Sequence, residues 1–237
     1  MSINKQRNLY FVGVGPGDPD LLTLKAIQLI KTCDVLFVPV RKKGTTRSMA
    51  LNVVKGAIDL ESKKIVFLPF PMVKGADNIL SKLAPALELV NQELHEGETG
   101  VFITLGCSTI YSTAANLFRL LQGKDIAMHF VPGVSAISGT AAAFDTPLVY
   151  SEEKLVVLPT TYAKDQIEHC IDAFDAVVLM KVHSSIDEIS MLINKKGLLK
   201  SSFIVEKATT GEERMHSLDE LPEGYRPHYM STVIIRR

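Results

Sequence analysis

The chain has 237 residues, 46% of them hydrophobic, which is enough apolar surface for one sizeable α/β domain or two smaller ones. Lys plus Arg number 26 and Asp plus Glu number 26, so a net charge of zero gives no electrostatic case for nucleic acid or a membrane surface as partner. Three widely separated cysteines, no C-x-x-C pair and scattered histidines predict a reducing compartment, no disulfide framework and no protein-built metal site.

The polar start, MSINKQRN, has no signal-peptide pattern, and no apolar run reaches 18 residues without polar interruption, so a soluble cytoplasmic protein is expected. The first apolar run, Leu9–Val14, reads as a strand and enters the stretch GVGPGDPD. A dinucleotide turn, G-x-G-x-x-G, needs glycine at position 18, where Asp18 stands. The acidic residue expected at the end of the second strand is missing too, because Val35–Val40 runs into Arg41-Lys42-Lys43. No G-K-[ST] follows, which excludes a P-loop and leaves a nicotinamide oxidoreductase a weak rival. Locally the stretch reads as a tight strand-to-helix turn, with Asp18 as N-cap and Pro19 at the first helical position.

Leu22, Ala26, Leu29, Ile30 and Cys33 then fall on one helical face. Further strands are predicted at Ile65–Phe70, Val101–Leu105 and Ile126–Val131. Between the first two of these, Asp77 to His95 has helical period through Leu80, Leu83, Leu87, Val90 and Leu94. Such alternation predicts a mostly parallel sheet with helices on both faces and ligands beyond the carboxyl ends of its strands. Past about residue 145 the texture changes. Strands are expected at Leu155–Leu158, Ala176–Val182, Phe203–Val205 and Ser231–Ile235, helices at Lys164–Phe174 and Ser185–Asn194, and an edge strand or hairpin in GEERMHSLDEL. The fold class is therefore α/β, with an N-terminal domain over 1–145, a mixed C-terminal domain over 146–237, and a hinge near Thr146-Pro147.

Three loops carry the functional signal: GVGPGDPD after the first strand, TLGCSTIYST after the fourth and VPGVSAISGTAAAF after the fifth. Together they resemble the tetrapyrrole (corrin/porphyrin) methyltransferase family, whose first loop, G-x-G-P-G-D-x-x-L-L-T, is matched throughout by residues 13 to 23. The family's VPG(V/I)(T/S) loop is matched by Val131 to Ser135, and the resemblance covers nearly the full chain. VVLMKV (177–182), NKKGLL (194–199), EKATTGEE (206–213) and YMSTVI (229–234) resemble one branch, the enzymes that methylate C20 of precorrin-2 or cobalt-factor II in cobalamin biosynthesis.

The resemblance implies an S-adenosylmethionine (SAM)-dependent C-methyltransferase, with SAM folded into a cleft between two α/β domains and a homodimeric assembly. By position it assigns SAM contact to Leu105, Gly106, Cys107, Ile110, Ser135, Ala136, Met180 and Ala208, and the tetrapyrrole end of the cleft to Gly15, Pro16, Gly17 and Asp18. The family reads G-D-P after the fourth strand, and this chain reads Gly106-Cys107-Ser108. Three outcomes are open there: another acid substitutes, backbone carbonyls hold SAM, or the chain is impaired. RKKGTTR (41–47) offers Arg41 and Arg47 to the substrate's peripheral carboxylates, against the plainer reading of a solvated loop. No Ser/His/Asp set stands out, and Tyr111 and Glu206 are candidates for a base on residue type alone. The rivals within reach are a methyltransferase acting on uroporphyrinogen III, a later precorrin or diphthine, and a non-catalytic SAM- or tetrapyrrole-binding protein.

Overall fold

The computed structural model describes residues 6–70, 79–160 and 164–237. Two compact units divide the chain, Met1–Ser135 and Ala136–Arg237. The helix start expected at Asp77 and the Leu80 side chain lie outside the described residues.

The first unit contains β1 (Arg7–Gly13), α1 (Leu24–Thr32), β2 (Val35–Val40), α2 (Met49–Ala57), β3 (Lys64–Pro69), α3 (Ile79–Glu93), β4 (Thr99–Thr104), α4 (Thr113–Leu121) and β5 (Ile126–Val131). All five strands are parallel, in the order β3-β2-β4-β1-β5. Alternate residues of each strand serve opposite faces. Val12, Leu36, Val38 and Ile103 pack with Ala26 and Ile30 of α1 and Val53 and Val54 of α2. Phe11, Phe37 and Phe102 pack with Leu83 and Val90 of α3 and Leu117 and Leu121 of α4. The second layer is aromatic at its centre, where Phe11 stacks on Phe130 at 5.1 Å and meets Phe102 edge-on at 5.9 Å. β4 begins two residues before the apolar run because Thr99 and Gly100 also pair with β1. A Cβ at Gly100 would come within 2.9 Å of the Phe37 ring, so the missing side chain is what admits that ring.

Asp18 caps a helix, but not the one expected. Its Oδ1 accepts the Asp20 N–H at 2.8 Å over a single 3₁₀ turn, Pro19–Leu21. The α-helix starts one turn later, where Thr23 Oγ1 accepts the Ala26 N–H at 3.2 Å. Both Asp18 and Thr23 have capping chemistry, and Pro19 fixed only the shorter turn.

The second unit contains α5 (Ala136–Ala142), β6 (Leu155–Pro159), α6 (Lys164–Ala173), β7 (Ala176–Met180), α7 (Ile186–Lys195), β8 (Ser202–Glu206), β9 (Arg214–Ser217) and β10 (Ser231–Arg236). Its sheet runs β6-β7-β10-β8-β9 and is mixed: β6 and β7 are parallel, and the other pairs are antiparallel. β9 is the edge strand expected in GEERMHSLDEL. β7 stops at Met180, two residues short of its apolar run, because Lys181 turns into the left-handed region at φ 63°. Val177, Leu179, Ile204, Val233 and Ile235 make one face of this sheet and pack with Ile167 and Ile171 of α6 and Ile186, Ile189 and Ile193 of α7. Arg236 secures the strip before β6, donating to the Pro147 and Leu148 carbonyls at 2.9 Å each and pairing with Glu153 at 2.8 Å. Among the described residues no helix is long and apolar enough to cross a membrane.

Candidate functional site

The order β4-β1-β5 places three carboxyl ends side by side, and from these ends spring the three loops singled out in the sequence. They meet through backbone. Gly15 and Gly106 exchange N–H···O bonds of 3.2 and 2.7 Å, with φ values of +81° and +71° that only glycine adopts at no steric cost. Gly13 and Gly133 lie against the same knot. A Cβ on Gly13 would stand 2.6 Å from Gly106 O and from Gly133 N, and one on Gly133 would stand 2.5 Å from Gly106 O. These neighbours are main-chain atoms, so no rotamer change relieves the clash.

The hydroxyl residues of TLGCSTIYST secure the loop from within. Fully buried Ser108 donates its Oγ–H to Val131 O at 2.8 Å, joining the β4 loop to β5. Thr104 Oγ1 and Ser112 Oγ lie 3.1 Å apart, and Ser112 caps α4 by accepting the Ala114 N–H at 3.0 Å. The loop is thus held by its own hydrogen bonds. Ile110 and Tyr111 stay about 40% exposed on it, Tyr111 at φ 47°.

Leu105, Gly106, Cys107, Ile110 and Ser135 all lie on the β4 and β5 loops of the first unit, and Gly15, Pro16, Gly17 and Asp18 on the adjoining β1 loop. Exposed Arg41 and Arg47 follow β2, the neighbour of β4, at the same end of that sheet. In the second unit Ala136 opens α5, Met180 ends β7, and buried Ala208 sits in the loop after β8. A shallow apolar hollow of about 500 Å³ in this unit, beside Ala141, Pro147 and Leu155, includes none of the residues assigned in advance.

Cys107 is turned into its own loops. Burial alone would push its thiol up, but hydrogen bonds from the Thr109 hydroxyl and from the backbone N–H groups of Thr109, Gly133 and Ile110 outweigh that and hold it below the ordinary thiol range. The sulfur lies 3.2 Å from Thr109 Oγ1. Position 107 is therefore a place where backbone donors gather, and an acid there would be met by the protein's own N–H groups. Cys33 is the contrast: packed under the first sheet, it is pushed up to about 11 by burial. Glu206 is poorly placed as a base, since it is buried with one oxygen accepting from Tyr225 Oη at 2.5 Å and the other from the His228 N–H.

The family model for tetrapyrrole (corrin/porphyrin) methylases matches residues 8–222. The chain belongs to the tetrapyrrole methylase family. Among its relatives, a Methanocaldococcus jannaschii protein named probable cobalt-precorrin-2 C(20)-methyltransferase is 37% identical, over 98% of this chain and 96% of that one. The Salmonella typhimurium cobalt-precorrin-2 C(20)-methyltransferase is 30% identical, over 97% and 96%. Among solved structures, a cobalt precorrin-4 methyltransferase superposes with a TM-score of 0.73 at 17% identity, covering 97% of this chain and 94% of that one. The Thermus thermophilus uroporphyrin-III C-methyl transferase complexed with S-adenyl homocysteine gives 0.69 at 20% identity, covering 97% of each chain. These structures establish the shared α/β fold.

For a tetrapyrrole methylase the knot explains why a glycine-rich loop follows β1 without being a phosphate cradle. Gly13 and Gly15 let main chain approach main chain, and the loop's acid is used in its own turn. Gly133→Ala should therefore lower stability by about 2 kcal/mol through overpacking against backbone, measured by urea unfolding. A variant as stable as the parent would show that the three loops yield. Thiol labelling tests the second feature. At neutral pH iodoacetamide should modify Cys107 well before Cys33, read by peptide mass spectrometry, because the depressed thiol carries more thiolate.

Proposed function

We propose that this tetrapyrrole methylase transfers a methyl group from SAM to C20 of precorrin-2 or of its cobalt-containing counterpart, cobalt-factor II, in cobalamin biosynthesis. The observation that carries this reading is near-full-length similarity, at 37% and 30% identity, to two proteins named for that reaction. The four segments quoted for this branch fall within the same span.

SAM supplies an electrophilic methyl group on a sulfonium, so the protein need provide neither a covalent nucleophile nor a phosphate site. The chemistry of the residues fits such a donor. Gly106, Ser135, Ala136 and Ala208 are small enough for a flat group to approach backbone, and Leu105, Ile110 and Met180 give apolar contact. Leu105 and Cys107 offer main-chain polar groups on either side of Gly106, whose own N–H and carbonyl are taken up by Gly15. Cys107 stands in place of the family aspartate with its sulfur engaged by backbone donors, which supports main-chain carbonyls rather than a side chain at 107 as partners of the SAM ammonium.

Alignment is the protein's main contribution. Fixing two reactants in an attacking geometry is worth roughly 7–11 kcal/mol of barrier, and preformed loops spend little of that on their own ordering. Arg41 and Arg47 pair with peripheral carboxylates of the macrocycle, and Gly15, Pro16, Gly17 and Asp18 line its approach. The composition supports a cytoplasmic enzyme and the family resemblance a homodimer, which sedimentation would read directly.

Incubation with SAM and precorrin-2, and separately with cobalt-factor II, should add one methyl group by mass spectrometry, placed at C20 by NMR with a labelled methyl. SAM binding without turnover on either macrocycle, or methylation at another carbon, would overturn the reading. Arg41→Glu with Arg47→Glu should raise the tetrapyrrole KM about tenfold and leave SAM affinity unchanged. An unchanged KM would make RKKGTTR a solvated loop.

A further inference from the structure

Two of the three donor-contact residues proposed in the second unit, Met180 and Ala208, sit where strands give way to unusual backbone. Lys181 adopts φ 63°, and Lys207 and Thr209 adopt 48° and 63°. Non-glycine residues in this region are strained and persist only where the surroundings over-determine them. One segment, residues 222–230, makes contact at both places, with Glu206 and Lys207 on one side and His183 on the other.

Glu206, the last residue of β8, is 5% exposed, and its partners are a phenol and a backbone N–H rather than a cation. The Tyr225 hydroxyl is pushed up to about 12, first by burial and then by its bond to Glu206, so it stays a donor at any physiological pH. The Pro227 carbonyl, between these two contacts, accepts from His183 Nδ1 at 2.5 Å in the turn that follows Lys181. Lys207 N–H then donates to Met230 O at 2.9 Å, and Thr210 Oγ1 closes the Ala208 loop on Lys207 O at 2.7 Å. On the other side of β7, Thr160 Oγ1 donates to Lys181 O at 2.7 Å. Segment 222–230 therefore bridges the end of β8 to the end of β7, and the Glu206 carboxylate is its anchor.

We propose that Glu206 is a positioning residue for the methyl donor: through Tyr225 and His228 it clips segment 222–230 in place and so sets the backbone that presents Ala208 and Met180. The proposal rests on the assignment of SAM contact to those two residues. Its chemistry is specific. A buried carboxylate that accepts two donors loses one when it becomes an amide, because the new NH₂ faces a donor.

The test uses the full chain and S-adenosylhomocysteine as probe, by calorimetry. Glu206→Gln should weaken probe binding about tenfold and Tyr225→Phe about threefold, while the tetrapyrrole KM stays within about twofold of the parent. That split separates positioning from general damage, which would move both. Glu206→Gln or Tyr225→Phe binding the probe like the parent overturns the proposal, as does an equal loss toward both substrates. If Glu206→Gln does not fold, Tyr225→Phe, which removes one donor and leaves the carboxylate, decides alone. Ala208→Phe is the control for the underlying assignment. If it binds the probe normally, the SAM placement fails; if it abolishes binding while the Glu206 and Tyr225 variants do not weaken it, only the clip fails.

Discussion

Three backbones converge at Gly13, Gly106 and Gly133 so closely that no side chain fits at the first or last, and the rest of the first unit is arranged to permit it. The contact exists only because β4, β1 and β5 are neighbours in a parallel sheet, which makes their carboxyl ends coincide. It persists because the strands beneath are locked between two apolar layers, with helices α1 and α2 on one face and α3 and α4 on the other. Main chain against main chain has no rotamers to lose, so a knot of this kind fixes loop geometry at little cost in side-chain entropy. A methyltransferase whose substrate provides the nucleophile needs that more than it needs reactive side chains.

The second unit reaches a similar end by different chemistry. Its loops after β7 and β8 use left-handed Lys181, Lys207 and Thr209 in place of glycines. The strain is held by side chains instead: the Glu206 carboxylate, the Tyr225 phenol and the His183 ring. Such a device is more sensitive to single substitutions than the glycine knot, because removing one partner leaves a buried charge short of a donor. Cys107 illustrates the reverse, a side chain held by the backbone donors around it.

Much of this was legible in the sequence wherever the signal is local. Val35–Val40 and Ile126–Val131 are mostly apolar runs, and both strands end where the runs end. The Asp18 cap misled because two capping residues lie five positions apart and only the second opens an α-helix. The Ala176–Val182 run overshot its strand because nothing in a lysine announces a left-handed φ. What no local pattern carries is adjacency. Gly133 lies far along the chain from Gly13, and only the strand order β4-β1-β5 brings them together. Glu206 was a candidate base on residue type alone, and its partners, Tyr225 and His228, stand 19 and 22 residues away, beyond any local pattern.

On the proposed reading, loops fixed by their own backbone hydrogen bonds present the methyl donor. A crystal structure with S-adenosylhomocysteine tests it most directly. The ligand should lie against Leu105, Gly106, Cys107, Ile110, Ser135, Ala136, Met180 and Ala208, with Gly15 and Gly106 still exchanging both hydrogen bonds. Ligand density elsewhere, or a knot that opens to admit it, would contradict the account.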